Sequence, residues 1–218
     1  MDLGPKSINP ADIPLTLDQA SLATHAGLLA DIDEDMAQIL EDHGVPPLWD
    51  RQPGFVTLVR IILEQQVSLT SADAMFGRLQ EHVQPLTAET VLHKGPSYLR
   101  SFGITRQKAA YFINVSEAIK RGELDFEKLT HKSDEDVIET LTSINGIGPW
   151  TAKVYLLMAL GRADVWPVGD VALATAVKNL KRLDVRPTQP HLTEMAESWA
   201  PYRATAARML WHYYLNGM

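Results

Sequence analysis

Cysteine is missing from all 218 residues. Its absence excludes disulfides, thiolate zinc sites and cysteine-ligated iron–sulfur clusters together, and it fits a reducing cytoplasm, the expected location. Long apolar runs are missing too. None approaches the roughly 20 residues that a membrane span needs, so no transmembrane helix and no membrane partner are expected. The opening stretch MDLGPKSINPADIP lacks a basic patch followed by an apolar core, which argues against a signal peptide. Excess positive charge, the usual footprint of a nucleic-acid binder, is likewise absent, the formal net charge being −7. That deficit is local. Residues 1–55 hold ten acids and two bases, whereas residues 56–218 hold seventeen acids and eighteen bases. The larger part is near neutral and can present a local basic face. The acidic run DIDEDMAQILEDHG reads as a solvated helix face.

Alternating strand patterns, low-complexity segments and long-period repeats are not found either. Helical periodicity runs almost throughout, so the expected fold class is all-α. SLATHAGLLADIDEDMAQILEDHG predicts one or two helices ending at Gly44. FVTLVRIILEQQV is apolar enough for a buried helix. Ser68 can cap LTSADAMFGRLQEHV, SYLRSFG is a short helix stopped by Gly103, and TRQKAAYFINVSEAIKRG closes on Gly122. Ser133 caps SDEDVIETLTSI, with acids in its first turn. Pro149 suits the first turn of PWTAKVYLLMALG. VALATAVKNLKRL and TEMAESWAPYRATAARMLWHYYL complete the set.

Between two of these helices lies Ile144-Asn145-Gly146-Ile147-Gly148. The glycines allow positive φ and close backbone approach, while Ile144 and Ile147 can pin the turn. The next helix starts with unpaired N–H groups and the positive end of its dipole, an anion site that needs no basic side chain. A nucleic-acid phosphate fits such a site. For an isolated Gly-x-Gly a purely structural helix–turn–helix corner is the more usual reading. Downstream, Asp170 directly precedes VALATAVKNL, where its default role is an N-cap.

The longer pattern Leu-x-x-Ile-x-Gly-Ile-Gly-x-x-Thr-Ala, followed by Asp170 on a Pro-Val-Gly approach, resembles the helix–hairpin–helix DNA glycosylase superfamily. The similarity extends over roughly residues 50–215. Within the superfamily it points to the bacterial 3-methyladenine DNA glycosylase II branch, without that branch's N-terminal β domain. The resemblance implies two helical lobes with a DNA cleft between them, one spanning 54–165 and the other combining 1–53 with 166–218. It implies a phosphate-binding hairpin at Gly146, Ile147, Gly148, Thr151 and Lys153. A monovalent cation on the carbonyls of Thr142, Ile144 and Ile147 is implied with it; no cofactor is required.

Asp170 is the catalytic residue so implied. Breaking an N-glycosidic bond builds positive charge on the sugar, and a fixed carboxylate stabilises that charge and can orient or deprotonate water. An alkylated purine is already a good leaving group, so one carboxylate suffices. Relatives that cleave the backbone carry a lysine two residues after the second glycine. That position is Trp150 here, with Lys153 three residues on, so hydrolysis without lyase activity is expected.

Trp150 and Trp211 are the implied base-pocket aromatics, since a flipped base is held on aromatic surfaces; Trp150 as a core residue beside a turn is the alternative. Trp199, Tyr202 and Tyr214 read as core. Gln66 aligns with the wedge that fills the gap left by the flipped nucleotide, and Gln65 supports the turn or lines the pocket. Both glutamines also read as polar helix-end residues. Arg106 and Lys108 can touch phosphate or be plain solvated surface, and for Arg203 helix packing or a salt bridge competes with a family role. The function expected is a monomeric, monofunctional glycosylase acting on double-stranded DNA with an alkylated base. The alternatives are a glycosylase for hypoxanthine, an etheno adduct or uracil, and a non-catalytic helix–hairpin–helix module.

Overall fold

A computed structural model describes residues 16–217. Twelve helices cover most of them: α1 (Gln19–Ile32), α2 (Glu34–His43), α3 (Phe55–Glu64), α4 (Leu69–His82), α5 (Ala88–Arg100), α6 (Arg106–Lys120), α7 (Phe126–Leu129), α8 (Asp134–Thr142), α9 (Pro149–Met158), α10 (Val171–Leu180), α11 (Gln189–Glu197) and α12 (Arg203–Leu215). Among the described residues the only β feature is an isolated bridge between Thr16 and Arg162. No described helix is long and apolar enough to cross a membrane.

Local chemistry sets most of the boundaries. Ser68 accepts from the Ser71 amide at 3.2 Å and Ser133 from the Asp136 amide at 3.1 Å, satisfying donors at the starts of α4 and α8. Pro149 opens α9, and Gly122 follows α6 at φ 73°. Two boundaries depart from expectation. The short helix expected at SYLRSFG is the second half of α5, which Thr87 caps and Gly95 breaks at φ 73°, ψ 169° ahead of Pro96. The long C-terminal helix is two: α11 ends at Glu197 and α12 starts at Arg203, because Pro201 has no amide proton to continue the ladder.

The chain divides into two compact units. One takes residues through Trp49 and from Gly161 onward; the other is Asp50–Leu160. The divisions fall earlier than those of the expected 54–165 lobe, and hydrogen bonds show why. Arg51 N–H donates to the Met158 carbonyl at 2.8 Å and Gly54 N–H to the Tyr155 hydroxyl at 2.9 Å, holding residues 50–54 to α9. Leu17 N–H reaches the Gly161 carbonyl at 2.6 Å and Ala204 N–H the Ala163 carbonyl at 3.1 Å, which places 161–163 in the other unit.

In the 50–160 unit the centre is α3, whose Leu58, Val59, Ile61, Ile62 and Leu63 are buried against α4, α6 and α9. In the other unit the centre is α12, packed on α1, α2 and α10. Every residue from Ala204 to Trp211 is buried, so α12 shows no polar stripe there. Arg208 lies fully inside, its Nε–H donating to the Leu48 carbonyl at 2.9 Å. Trp199 and Tyr202 are buried as expected, but Tyr214 is 37% exposed, lying in the last turn of α12 beyond the buried stretch. The acidic α2 is not purely solvated. Asp33 caps it and also accepts the Trp199 indole N–H at 2.8 Å, and Asp35 pairs with Lys181.

Candidate nucleic-acid interface and carboxylate turn

The hairpin joins α8 to α9 through residues 143–148. Ile144 and Ile147 are buried, and the Ile147 amide closes the turn on the Ile144 carbonyl at 3.0 Å. The two glycines do different work. Gly146 has φ 104°, and a Cβ there would lie 2.2 Å from Tyr111 ring carbons. Gly148 has an ordinary φ of −91°, and a Cβ would meet nothing within 4 Å. Only Gly146 therefore uses the positive φ expected of both. Gly148 is the N-cap of α9 and no side chain caps that helix. The amides of an uncapped first turn suit an anion. The Ile144 carbonyl is already engaged, while among the described residues no hydrogen bond reaches the carbonyls of Thr142 or Ile147.

The turn between α3 and α4 lies close by in the same unit. Gln66 is exposed at its apex in the left-handed region, φ 55°. Val67 and Leu69 beside it are exposed apolar residues. Gln65 is half-buried, and its amide donates to the Gly146 carbonyl at 3.1 Å and the Thr151 hydroxyl at 2.9 Å. Of the two roles expected for it, the structure displays turn support. The Thr151 side chain is buried and faces Gln65, so the hydroxyl is not a surface phosphate ligand. Lys108 is not at the surface and meets no phosphate: it is buried, donates to the Leu63 carbonyl at 2.6 Å, and desolvation pushes its ammonium below the usual lysine range. Arg106 is exposed. Trp150 and Lys153 are both half-buried on α9.

In the other unit, Asp170 ends a tight turn. Asp170 N–H donates to the Pro167 carbonyl at 3.3 Å, and Gly169 adopts φ 92°. The Asp170 carboxylate accepts the Leu173 amide at 2.9 Å, the N-cap bond expected, and the residue is 8% exposed. Gly169 N–H donates to Gln189 Oε1 at 2.7 Å. Sequence reasoning missed Gln189, whose one local signal is a position at the start of α11. It also missed buried Trp166, whose ring lies 5.5 Å from that of Trp199 just ahead of the Asp170 turn. Trp211 is buried on α12, the helix on which α10 packs. For Arg203 the salt bridge is the observed role. It meets Asp164 at 2.7 and 2.8 Å and Glu197 at 3.0 Å, and the Asp164 carboxylate raises its pKa further. Among the described residues no group of three or more His, Asp or Glu is placed to hold a metal ion.

A family profile described as HhH-GPD superfamily base excision DNA repair protein matches residues 59–201. A Bacillus subtilis protein, YfjP, is 31% identical over 184 residues, which make up 81% of this chain and 64% of that one. DNA-3-methyladenine glycosylase 1 of Schizosaccharomyces pombe is 30% identical over 166 residues, 74% of this chain and 73% of that one. Among solved structures, the S. pombe 3-methyladenine DNA glycosylase Mag1 in complex with abasic DNA superimposes with a TM-score of 0.80. It is 27% identical, covering 86% of this chain and 95% of that chain.

Proposed function

The chain belongs to the HhH-GPD superfamily of base excision DNA repair proteins, and from that premise we propose that it is a DNA glycosylase hydrolysing the N-glycosidic bond of alkylated bases, of 3-methyladenine and 7-methylguanine type, in duplex DNA. The observation that carries this reading is Asp170: a carboxylate fixed by its own helix on a glycine turn and almost fully withdrawn from water.

The parts divide the work. The uncapped start of α9 holds a backbone phosphate through amides. Gln66, exposed at its turn, enters the space left by the extruded nucleotide. Trp150 stacks on the base, and a positively charged alkylpurine over an indole gains about 1–2 kcal/mol. Asp170 stabilises the oxocarbenium-like sugar and orients the attacking water. Its negative charge is in place before the reaction, so little reorganisation is required as the bond breaks. With Trp150 where lyase relatives carry lysine, water is the nucleophile and no Schiff base forms. The carbonyls of Thr142 and Ile147 fit a monovalent cation, which would brace the hairpin without entering the chemistry. The protein acts as a monomer.

The test is incubation with duplexes each carrying one defined lesion, analysed with and without alkali. The expected result is an abasic site that breaks only on alkaline treatment, most abundant for alkylated purines. Strand breakage without alkali would contradict hydrolysis by water alone. Binding of duplex with no base release from any lesion would favour a non-catalytic module.

A further inference from the structure

We infer that Gln65 is a positioning residue which fixes the wedge turn to the phosphate hairpin, with one face of α6 as the splint, so that phosphate grip and nucleotide extrusion are held in a single geometry. This rests on the function proposed above and assigns Gln65 a role in extrusion rather than in the base pocket.

A carboxamide nitrogen has two protons to give. Gln65 gives one to the Gly146 carbonyl at 3.1 Å and one to the Thr151 hydroxyl at 2.9 Å, 81 and 86 residues away. Both acceptors belong to the hairpin and the first turn of α9. The donor is the C-cap of α3, and the next residue is Gln66. A non-glycine residue at φ 55° persists only where its surroundings over-determine the backbone, and Gln65 is one such determinant.

Helix α6 supplies the others. Lys108, Tyr111 and Asn114 recur at three-residue steps and so lie along one side of the helix. Lys108 donates to the Leu63 carbonyl, two residues before Gln65. Tyr111 occupies the space that a side chain on Gly146 would need. Asn114 donates to the Asn145 carbonyl at 3.0 Å. These two hydrogen bonds, the Gln65 bond to the Gly146 carbonyl and the Tyr111 packing contact engage main chain at or beside the two turns. They therefore fix where the backbone of each turn lies, and the side chains that meet DNA inherit that position.

The experiment compares wild type, Gln65→Leu and Thr151→Val. Leucine has similar bulk and no protons to donate; Thr151→Val removes one acceptor and keeps the Gly146 link. Three quantities are read: affinity for undamaged duplex, single-turnover excision, and fluorescence of 2-aminopurine beside the lesion, which rises on extrusion. For Gln65→Leu the expected result is unchanged duplex affinity, reduced fluorescence, and excision slowed by up to about 10²-fold, the scale of a small misplacement remote from the chemistry. Thr151→Val should show the same pattern to a smaller degree. Wild-type extrusion and excision in Gln65→Leu would overturn the inference, as would a loss of duplex affinity that accounts for the whole rate change. Should Gln65→Leu fail to fold, wild-type extrusion by Thr151→Val overturns it. If the wild-type protein extrudes but excises nothing, the proposed chemistry falls, and the fluorescence comparison still decides the role of Gln65.

Discussion

The Gly169 amide donates to Gln189 Oε1 at 2.7 Å, joining the turn that carries Asp170 to the first residue of α11. Gly169 is at φ 92° and its carboxylate-bearing neighbour caps α10. Gln189 thus holds the backbone one residue before the proposed catalytic group. Replacing it by leucine leaves the Gly169 amide without this partner and lets the turn shift. We expect Gln189→Leu to lower the single-turnover rate, by up to about 10²-fold for a shift near 1 Å, with duplex binding retained. Gln189→Glu keeps an acceptor oxygen and should recover much of the loss. Equal rates for Gln189→Leu and wild type would remove Gln189 from the account.

The two hairpin glycines should respond differently to alanine. At Gly146 a methyl group would clash with the Tyr111 ring and occupy a backbone conformation that alanine avoids. Destabilisation should exceed about 1 kcal/mol, which lowers the melting temperature by more than about 2–4 °C in a chain of this size. At Gly148 a methyl group meets no protein atom. Stability should then fall by no more than about 1 kcal/mol, the scale of losing a favourable N-cap residue, while duplex affinity falls because the methyl group stands in the proposed phosphate site. Thermal unfolding and binding titrations of both variants separate these outcomes.

Trp150 is half-buried, and its proposed value lies in its π face. Trp150→Ala should weaken excision of cationic alkylpurines by roughly tenfold, the equivalent of about 1–2 kcal/mol of cation–π energy. Excision of neutral hypoxanthine should fall less. A comparable loss for both bases, or a large fall in melting temperature, would instead make Trp150 a packing residue.

His25 gives a pH signature in stability. It is buried against the Tyr202 ring at 4.7 Å, and its Nδ1 has no hydrogen-bond partner among the described residues. Burial lowers its pKa from 6.5, so the folded protein resists a proton that the unfolded chain accepts. The contribution is fully present above about pH 6.5 and is lost as pH falls toward the depressed folded value. Urea unfolding across this range should show a steeper acid loss for wild type than for His25→Phe. Identical pH slopes would contradict this assignment.

What could be read from the sequence was local. The caps at Ser68, Ser133 and Asp170 each bond an amide three residues on, so their signals lie within a single helical turn. The hairpin carries its own glycines and isoleucines. One local signal stays unused: Thr87 caps the half of α5 ahead of Gly95, which no expected helix covers. Lys108 looked like surface because its partner, the Leu63 carbonyl, is 45 residues away. Gln65 is legible as a residue of its turn, but its partners, 81 and 86 residues away, are not, and Gln189, bonded 20 residues away, leaves no pattern for the same reason. Position on a helix face is periodic and legible; the choice of a distant main-chain partner is not.

The central claim is that the charge of Asp170 drives bond cleavage, and Asp170→Asn isolates that charge. Asparagine caps a helix about as well as aspartate, so the bond to the Leu173 amide and the fold should survive. Single-turnover excision of 3-methyladenine should then fall by about 10²–10⁴-fold, with melting temperature and duplex affinity unchanged. Excision at the wild-type rate by a folded Asp170→Asn protein would contradict the account.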